Sequence, residues 1–539
     1  MFGAIILMIS NIAVKIIGAF LRIPLTNIIG VEGMAYYNAA YSIYVTFYTI
    51  STAGIPVAVS RMIATANSKN NHAEIKKTFR VAYAVFFVIG LFGTAVMMMF
   101  SKQFASSAKM DNAYLAIMCI APTIFFICLS SAYRGYFQGL QNMTPTAVSQ
   151  VIEAVAKFGI GIFAAIYFTR NGYPAHIVAA YVILGVTVGV LLGVVYEIVV
   201  KAMYKSASYN DTISECRSSK SILKELILIA IPITLASSIM GLTNIVDTML
   251  FAKGLQASGL SMKTATSFYG TYTSMVYPLF NLVPPFIYTF AISAIPAISS
   301  AISVDDRERA SKDIESAFRN CAVIAIPSAI GLASLSKNII SFLFEDESIT
   351  VSANLTVSAV SIAANALSVI SAGILFLGVI SITNAVLQAC KKEKYTIIST
   401  SFGILVKIIG TFFLSRIPSF GLLGAALSTV LCYFTIMCFN LFFMIKTTGF
   451  SLSVKKVILK PLTAGILCGI SALVSDALLS NTAFGGRIGT VVDILVAVIV
   501  YFAALVALKG INKYDVLMMP KGQKICAVLE RFNLLEKGE

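Results

Sequence analysis

Val81-Ala-Tyr-Ala-Val-Phe-Phe-Val-Ile-Gly-Leu-Phe-Gly-Thr-Ala-Val-Met-Met-Met-Phe100 runs for twenty residues without one charged side chain. As a helix rising 1.5 Å per residue it spans about 30 Å, the hydrocarbon thickness of a bilayer. Only helices and closed barrels satisfy their backbone polar groups inside lipid. Barrel strands alternate apolar and polar residues over about 10 positions, and this run does not alternate. The stretch therefore reads as a membrane-spanning helix.

Outward from it, the same signature recurs along the chain. Fourteen candidate spans fall at 2–24, 36–60, 81–100, 112–133, 146–168, 174–200, 225–251, 268–299, 319–336, 353–388, 395–415, 421–445, 457–478 and 488–508. The eighth carries Pro278, Pro284, Pro285 and Pro296, so it cannot be one straight helix. The tenth is long, and Gly373 with Gly378 make it a candidate for a kink. The first apolar run continues past Lys15 with no small-residue cleavage site, so it reads as a retained span.

Composition agrees. Hydrophobic residues make up 58% of the 539 and charged residues only 12%, against roughly 25% charged in a soluble domain. The formal net charge is +16. In a soluble chain that excess would suggest nucleic acid; here its distribution points to topology. With the N-terminus in the cytoplasm, 28 of the 40 Lys and Arg fall in inside connections and the C-terminal tail, and nine in outside connections. One missed span would invert that bias downstream, so both termini are expected in the cytoplasm. Nine scattered cysteines form no CxxC or Cys/His cluster, which indicates neither a disulfide framework nor a metal site.

The polar segment 201–222 divides the chain into two six-span halves, and three features repeat across it. Ile55-Pro56 with Ser60 answers Ile295-Pro296 with Ser300, and Phe79-Arg80 answers Phe318-Arg319. Gln138 stands 19 residues before Lys157, and Gln388 stands 19 before Lys407. Six is even, so the halves share one orientation: parallel repeats about an axis along the membrane normal, the plan of transporters that rock around a central site. The expected organisation is an N-lobe (1–200), an interlobe linker (201–222), a C-lobe (223–446), two further spans outside the repeat (447–510) and a basic tail (511–539).

Ionisable groups inside spans are costly and point to function. Lys15 lies near mid-membrane with no acid within helical reach; the plain alternative is a snorkelling lysine, although its stem reaches the interface poorly from that depth. Lys407 sits at similar depth. Glu153 and Lys157 are four apart in the favourable order for an ion pair, either a neutralised pair or part of a site. Arg22 is a cavity residue or an interfacial anchor. Asp247 is the main acid of the second half, and either binds a coupling cation or pairs with a lysine. Arg61 and Arg134, at the inner ends of spans 2 and 4, anchor topology or form a cytoplasmic gate with Gln138. Three deep lysines against one glutamate favour an anion such as a pyrophosphate and disfavour a cationic drug. No HExxH, GxSxG or Walker A motif occurs, and the longest hydrophilic loops are too short for a catalytic domain. The chain is not expected to be an enzyme.

Tyr133-Arg-Gly-Tyr-Phe-Gln-Gly-Leu-Gln-Asn-Met-Thr-Pro-Thr-Ala-Val-Ser-Gln-Val-Ile-Glu153 and Ser51-Thr-Ala-Gly-Ile-Pro-Val-Ala-Val-Ser60 resemble the polysaccharide-transport branch of the multidrug/oligosaccharidyl-lipid/polysaccharide exporter superfamily, above all its lipid II flippases and sporulation members. The resemblance covers nearly the whole chain. It implies two six-helix lobes around a V-shaped central cavity. It also implies flipping of an undecaprenyl-pyrophosphate-linked peptidoglycan precursor by alternating access, with spans 13 and 14 forming a groove for the polyprenyl tail. Lys15 of Lys15-Ile16-Ile17-Gly18 takes the place of a functional arginine in the span 1 pattern, and Arg22 matches a second one with a one-residue shift. A further family arginine falls near Tyr48, and an acidic residue near Tyr37 or Asn38.

The expected partners are the lipid-linked oligosaccharide, membrane lipids and cell-wall synthesis enzymes, with no nucleic acid, and the chain is expected to be a monomer. No cofactor or metal is expected. The expected drive is Na+ or H+ coupling or the membrane potential. Three alternatives stay open: a flippase for another lipid-linked glycan such as teichoic acid or capsule units, a cation-coupled drug exporter that needs Asp247, and a non-transport scaffold that needs the basic tail.

Overall fold

The computed structural model describes residues 2–52, 54–203, 217–352, 355–417, 420–450, 454–480, 486–508 and 510. The side chains of 2–5, 7–9, 11–12, 51, 232–233, 235–247 and 454–456 lie outside that description. Most of the expected linker, the tail 511–539 and the Asp247 side chain therefore lie outside the described residues.

Among the described residues the protein is all-α, helical apart from one short hairpin. The first helices are α1 (Phe2–Thr52), α2 (Ile55–Ser68), α3 (His72–Met99) and α4 (Ser101–Ser107). Then come α5 (Tyr114–Ile120), α6 (Pro122–Gly139), α7 (Thr144–Arg170), α8 (Ala175–Met203), α9 (Ser219–Ala257) and α10 (Met262–Thr271). A π-helical turn, Tyr272–Val276, leads to α11 (Tyr277–Phe280), α12 (Pro284–Ser303), α13 (Arg307–Ser334) and α14 (Ser336–Leu343). The antiparallel hairpin of β1 (Ser348–Ser352) and β2 (Leu355–Ser358) follows. The chain continues through α15 (Ala359–Ala389), α16 (Glu393–Leu414), α17 (Leu423–Thr448), α18 (Val454–Leu479) and α19 (Arg487–Ala507).

Twelve helical stretches among the described residues are long and apolar enough to cross a membrane. Fourteen were expected. The first two run together as Ala13–Ser68, and α9 is not among the twelve. The eighth expected span is broken, as its prolines require: α10, the π turn, α11 and α12 share its length. The tenth differs from expectation at both ends of the argument. Near its expected start Leu355–Ser358 form β2, paired with β1 just upstream, and α15 then passes Gly373 and Gly378 without a break. These glycines serve packing instead. A Cβ at 373 would stand 3.1 Å from the Tyr433 ring, and one at 378 would stand 3.1 Å from Ala325.

Chain contacts define two compact units. The first comprises Met1–Lys253 and Ser261–Ser274; the second comprises Gly254–Leu260 and Met275–Glu539. Most of α9 therefore groups with the first unit, whereas the division at 201–222 assigned it to the second half. The reason lies at its start. Ile222, Leu226 and Ala230 are buried, and a Cβ at Gly54 would stand 2.1 Å from the Ala230 carbonyl oxygen. In the first unit, α6 lies against α2 through Gly135 and Gly139, whose added Cβ atoms would meet Val59 and Ile63 at 3.0 and 2.7 Å. In the second unit, polar pairs join helices: Asn440 Nδ2 donates to Asn384 Oδ1 at 2.7 Å, and Ser475 Oγ to Asp493 Oδ1 at 2.5 Å.

Candidate functional site

The site of interest lies wholly in the first unit. It is a cavity of about 410 Å³ walled by α1, α6, α7 and α8. Val14, Ile17, Gly18 and Leu21 line it from the first half of α1, a spacing that puts all four on one helical face. At Gly30 (φ 71°, ψ 171°) α1 breaks its helical path, in a backbone conformation that glycine adopts freely. Beyond the break comes a tyrosine ladder. Tyr37, Tyr41, Tyr44 and Tyr48 follow one another with ring centroids 6.0, 5.7 and 5.9 Å apart. The last three line the cavity.

The charged wall comes from α6 and α7. Arg134, 9% exposed, reaches two acids at once. Its Nε donates to Glu197 Oε1 on α8 at 3.2 Å, and its Nη2 donates to Glu153 Oε1 on α7. Ser149 Oγ also donates to Glu197 Oε1, at 2.7 Å. Arg134 and Glu153 face the cavity, and Glu197 lies behind them, fully buried. The helices approach closely enough because α8 carries Gly185, Gly189 and Gly193, one every turn, against α7. An added Cβ at 189 would stand 2.8 Å from the Glu153 carbonyl oxygen.

Glu153 is thus bound to Arg134, and the local Glu153–Lys157 pair that their spacing suggested is absent from the ion pairs among the described residues. The reason is geometric: the arginine fork reaches Glu153 from the facing helix, and Lys157 turns to the ladder. Its Nζ stands 4.7 Å from the centroid of the Tyr41 ring, a cation–π contact.

The other expected residues divide. Arg22, part-buried, donates from Nη1 to the Thr273 carbonyl oxygen at 3.1 Å; Asn38 Nδ2 meets Thr273 Oγ1 at the same distance. Lys15 is exposed and is not among the cavity-lining residues. Arg61 is exposed on α2, and Gln138 is half-buried near the end of α6. Lys407 is half-buried on α16 in the second unit. Near the end of α8, Lys201 Nζ stands 2.8 Å from the centroid of the Phe79 ring, with Tyr136 and Tyr133 at 5.0 and 5.5 Å. Glu197 and Ser149 were missed by the sequence reading. The available signal was a single carboxylate in the otherwise uncharged run 176–200.

Comparison with known proteins agrees with this architecture. The chain is 26% identical over 522 residues to Stage V sporulation protein B of Bacillus subtilis, covering 96% of this chain and 97% of that one. It is 23% identical over 489 residues to Lipid II flippase MurJ of the same organism, covering 86% of each. Among solved structures, Lipid II flippase MurJ in an inward closed conformation matches with a TM-score of 0.67 at 17% identity, over 93% of this chain and 98% of that one. An inward-facing MATE family multidrug transporter of the MOP superfamily matches with a TM-score of 0.65 at 14% identity, over 82% of this chain and 98% of that one. The fold is that of these multi-pass membrane proteins. Residues 2–302, more than half of the chain, match the family described as Polysaccharide biosynthesis protein, and the chain belongs to that family.

Proposed function

We propose that this protein is a flippase that carries an undecaprenyl-pyrophosphate-linked saccharide, lipid II in the first place, from the inner to the outer leaflet by alternating access. One observation carries the reading: the cavity wall, set within membrane-spanning helices, presents Arg134 and Lys157 against the single carboxylate of Glu153. Two cationic side chains against one carboxylate on the wall favour a pyrophosphate over an organic cation. Arg134 offers a planar fork suited to phosphate oxygens, and Lys157 a compact point charge. The tyrosine ladder offers flat faces for sugar rings. Lys157, at the Tyr41 ring, forms no ion pair among the described residues, so it can meet an anion without giving up a carboxylate.

The relatives named as lipid II flippase and sporulation protein support the same reading. Both termini are assigned to the cytoplasm, on the Lys/Arg bias of the connections. An inside-negative potential then assists export of the anion by about 2.3 kcal/mol per charge per 100 mV. The test is lipid II translocation in cells depleted of their own flippase, read as cleavage of lipid II by an externally added toxin. The wild-type chain restores cleavage, and Lys157→Ala at equal expression does not. A well-expressed wild type that restores nothing removes the lipid II assignment.

A further inference from the structure

Lys201, half-buried near the end of α8, ends in an aromatic cage. Its Nζ stands 2.8 Å from the centroid of the Phe79 ring on α3, and 5.0 and 5.5 Å from those of Tyr136 and Tyr133 on α6. The rings support one another, with Phe79 lying 5.3 Å from both tyrosines. Lys201 enters no ion pair among the described residues. Yet Glu197 precedes it by four residues, the favourable order for a pair on one helix face. Glu197 is held instead from the neighbouring helices, by Arg134 and by the hydroxyls of Ser149 and Ser130. All three are donors, so the group they surround is a carboxylate. Two cations, Arg134 and Lys201, thus balance two acids, Glu153 and Glu197, while Lys157 is occupied at Tyr41. The ion pairs do not follow that balance: Arg134 serves both acids and Lys201 serves neither.

The second unit shows what the fold itself requires at these positions. Gln388 and Lys407 answer Gln138 and Lys157 at one offset, and that offset sets Asn384 against Arg134, Gly403 against Glu153 and Thr411 against Gly161. Packing fixes the register of the third helix. On α8, a Cβ at 185 would stand 3.0 Å from Gly161 N, and one at 193 would stand 2.7 Å from Glu153 Oε1. On α17, Ser428 hydrogen-bonds to Thr411 at 2.9 Å, and Ile436 fills the space at Gly403. Ser428 therefore answers Gly185 and Ile436 answers Gly193, which sets Asn440 against Glu197 and Met444 against Lys201. The Asn440–Asn384 hydrogen bond stands where Arg134 meets Glu197. Four charges in the first unit are thus four neutral residues in the second. Met444 is 0% exposed, so this helix arrangement asks only for apolar volume where Lys201 stands.

We propose that Lys201 is a reserve counter-ion for Glu197. While Arg134 bridges both acids, the ammonium rests on the Phe79 ring. When an anion in the cavity draws the guanidinium away from Glu197, the ammonium crosses one helical turn to that carboxylate, and no buried charge is left unpaired. A cation–π contact is weaker than a charge-assisted hydrogen bond, so the cage keeps the ammonium within reach and gives it up when the carboxylate falls free. Lys201 thereby releases Arg134 to the anion. It is a positioning residue and does not touch the substrate. Release by an anion rests on the flippase reading; the pairing of Lys201 with Glu197 once Arg134 is gone does not.

The experiment is a pair of double-mutant cycles on the full chain in lipid nanodiscs. The first reads the thermal midpoint. Lys201→Met, which copies the second unit, should lower it little, and Arg134→Gln should lower it clearly. Together they should lower it by more than the sum, because Glu197 then has no cation left. Adding Glu197→Gln to that pair should return most of the excess, and this triple variant carries the test if the double variant does not fold. Simple additivity, or no recovery in the triple variant, overturns the proposal. The second cycle reads binding of farnesyl pyrophosphate by titration calorimetry. Lys201→Met should weaken it roughly tenfold in the wild-type chain and leave it unchanged in a Glu197→Gln chain, which has no charge to compensate. Equal weakening in both chains marks a direct contact between Lys201 and the anion and overturns the proposal, as does no weakening in either. A wild type that binds no pyrophosphate while the first cycle is non-additive removes the flippase reading and leaves the pairing. A wild type that binds it while both cycles are additive removes the role of Lys201 alone.

Discussion

Gly193 makes the space in which the Glu153 carboxylate rests: a Cβ at 193 would stand 2.7 Å from Glu153 Oε1 and 2.8 Å from its Cγ. The acid that binds Arg134 is therefore positioned by a missing side chain on the facing helix. Gly193→Ala must push Glu153 off its place or part α7 from α8. Overpacking of this kind costs about 1–3 kcal/mol. The expected outcome is a lower thermal midpoint in lipid nanodiscs. Glu153→Ala in the same chain should relieve most of the loss that Gly193→Ala causes, since the two share one volume; simple additivity would show that they do not.

Arg134 bridges α7 and α8 with two different nitrogens. Arg134→Lys keeps the charge and loses the fork, so it can hold one acid but not both. Arg134→Ala leaves two buried acids without a cation, a change of about 3–5 kcal/mol in comparable buried pairs. Expression and thermal midpoint should fall in the order wild type, Arg134→Lys, Arg134→Ala. An alanine variant as stable as the wild type would mean that the cluster contributes nothing to the fold.

Much of this arrangement was legible in advance, for identifiable reasons. Runs such as 81–100 leave no choice but a spanning helix, and α3 covers that run up to Met99, with Phe100 as its C-cap. Arg134 stood out as a charge at the inner end of a span and Glu153 as a carboxylate within one, and the glycines of the stretch 133–153, Gly135 and Gly139, seat α6 on α2. Long-range pairing was not legible. Arg134 meets Glu197 from 63 residues away, and no local spacing encodes that. The i,i+4 rule pointed Glu153 at Lys157, and a facing helix overrode it. The β1–β2 hairpin was hidden because Leu355 and Val357 continue the apolar composition of the helix that follows. Lys15 was singled out by its depth and by its match to a family arginine, whereas the face of α1 that lines this cavity is set by Val14, Ile17, Gly18 and Leu21, and depth does not fix which side of a helix a residue occupies.

Arg217, just after the undescribed part of the linker, pairs with Glu74 on α3 and Glu225 on α9. The contact resembles a clasp, yet the arginine and Glu225 are both about 40% exposed, and solvent screens such pairs. Arg217→Ala should change stability by no more than about 1 kcal/mol, with any difference shrinking in high salt. A large loss of thermal midpoint that persists in high salt would show that the linker holds α3 and α9 together.

Lys157 and Tyr41 give the most direct test of the cavity's chemistry. The ammonium sits on an aromatic face, where a cation–π contact is worth about 0.5–2 kcal/mol. A hydrogen bond from such a group to a charged partner contributes roughly 1.5–3 kcal/mol. Lys157→Met keeps the length and apolar stem, and should reduce lipid II translocation by roughly ten- to a hundredfold while leaving the thermal midpoint near that of the wild type. Lys157→Arg should recover part of the activity. Tyr41→Leu should act differently: the lysine keeps its charge but loses its rest position, so translocation should fall less than in Lys157→Met, and the thermal midpoint should drop. If Lys157→Met and Tyr41→Leu have the same profile, the lysine serves the packing of α1 on α7 and does not meet the anion.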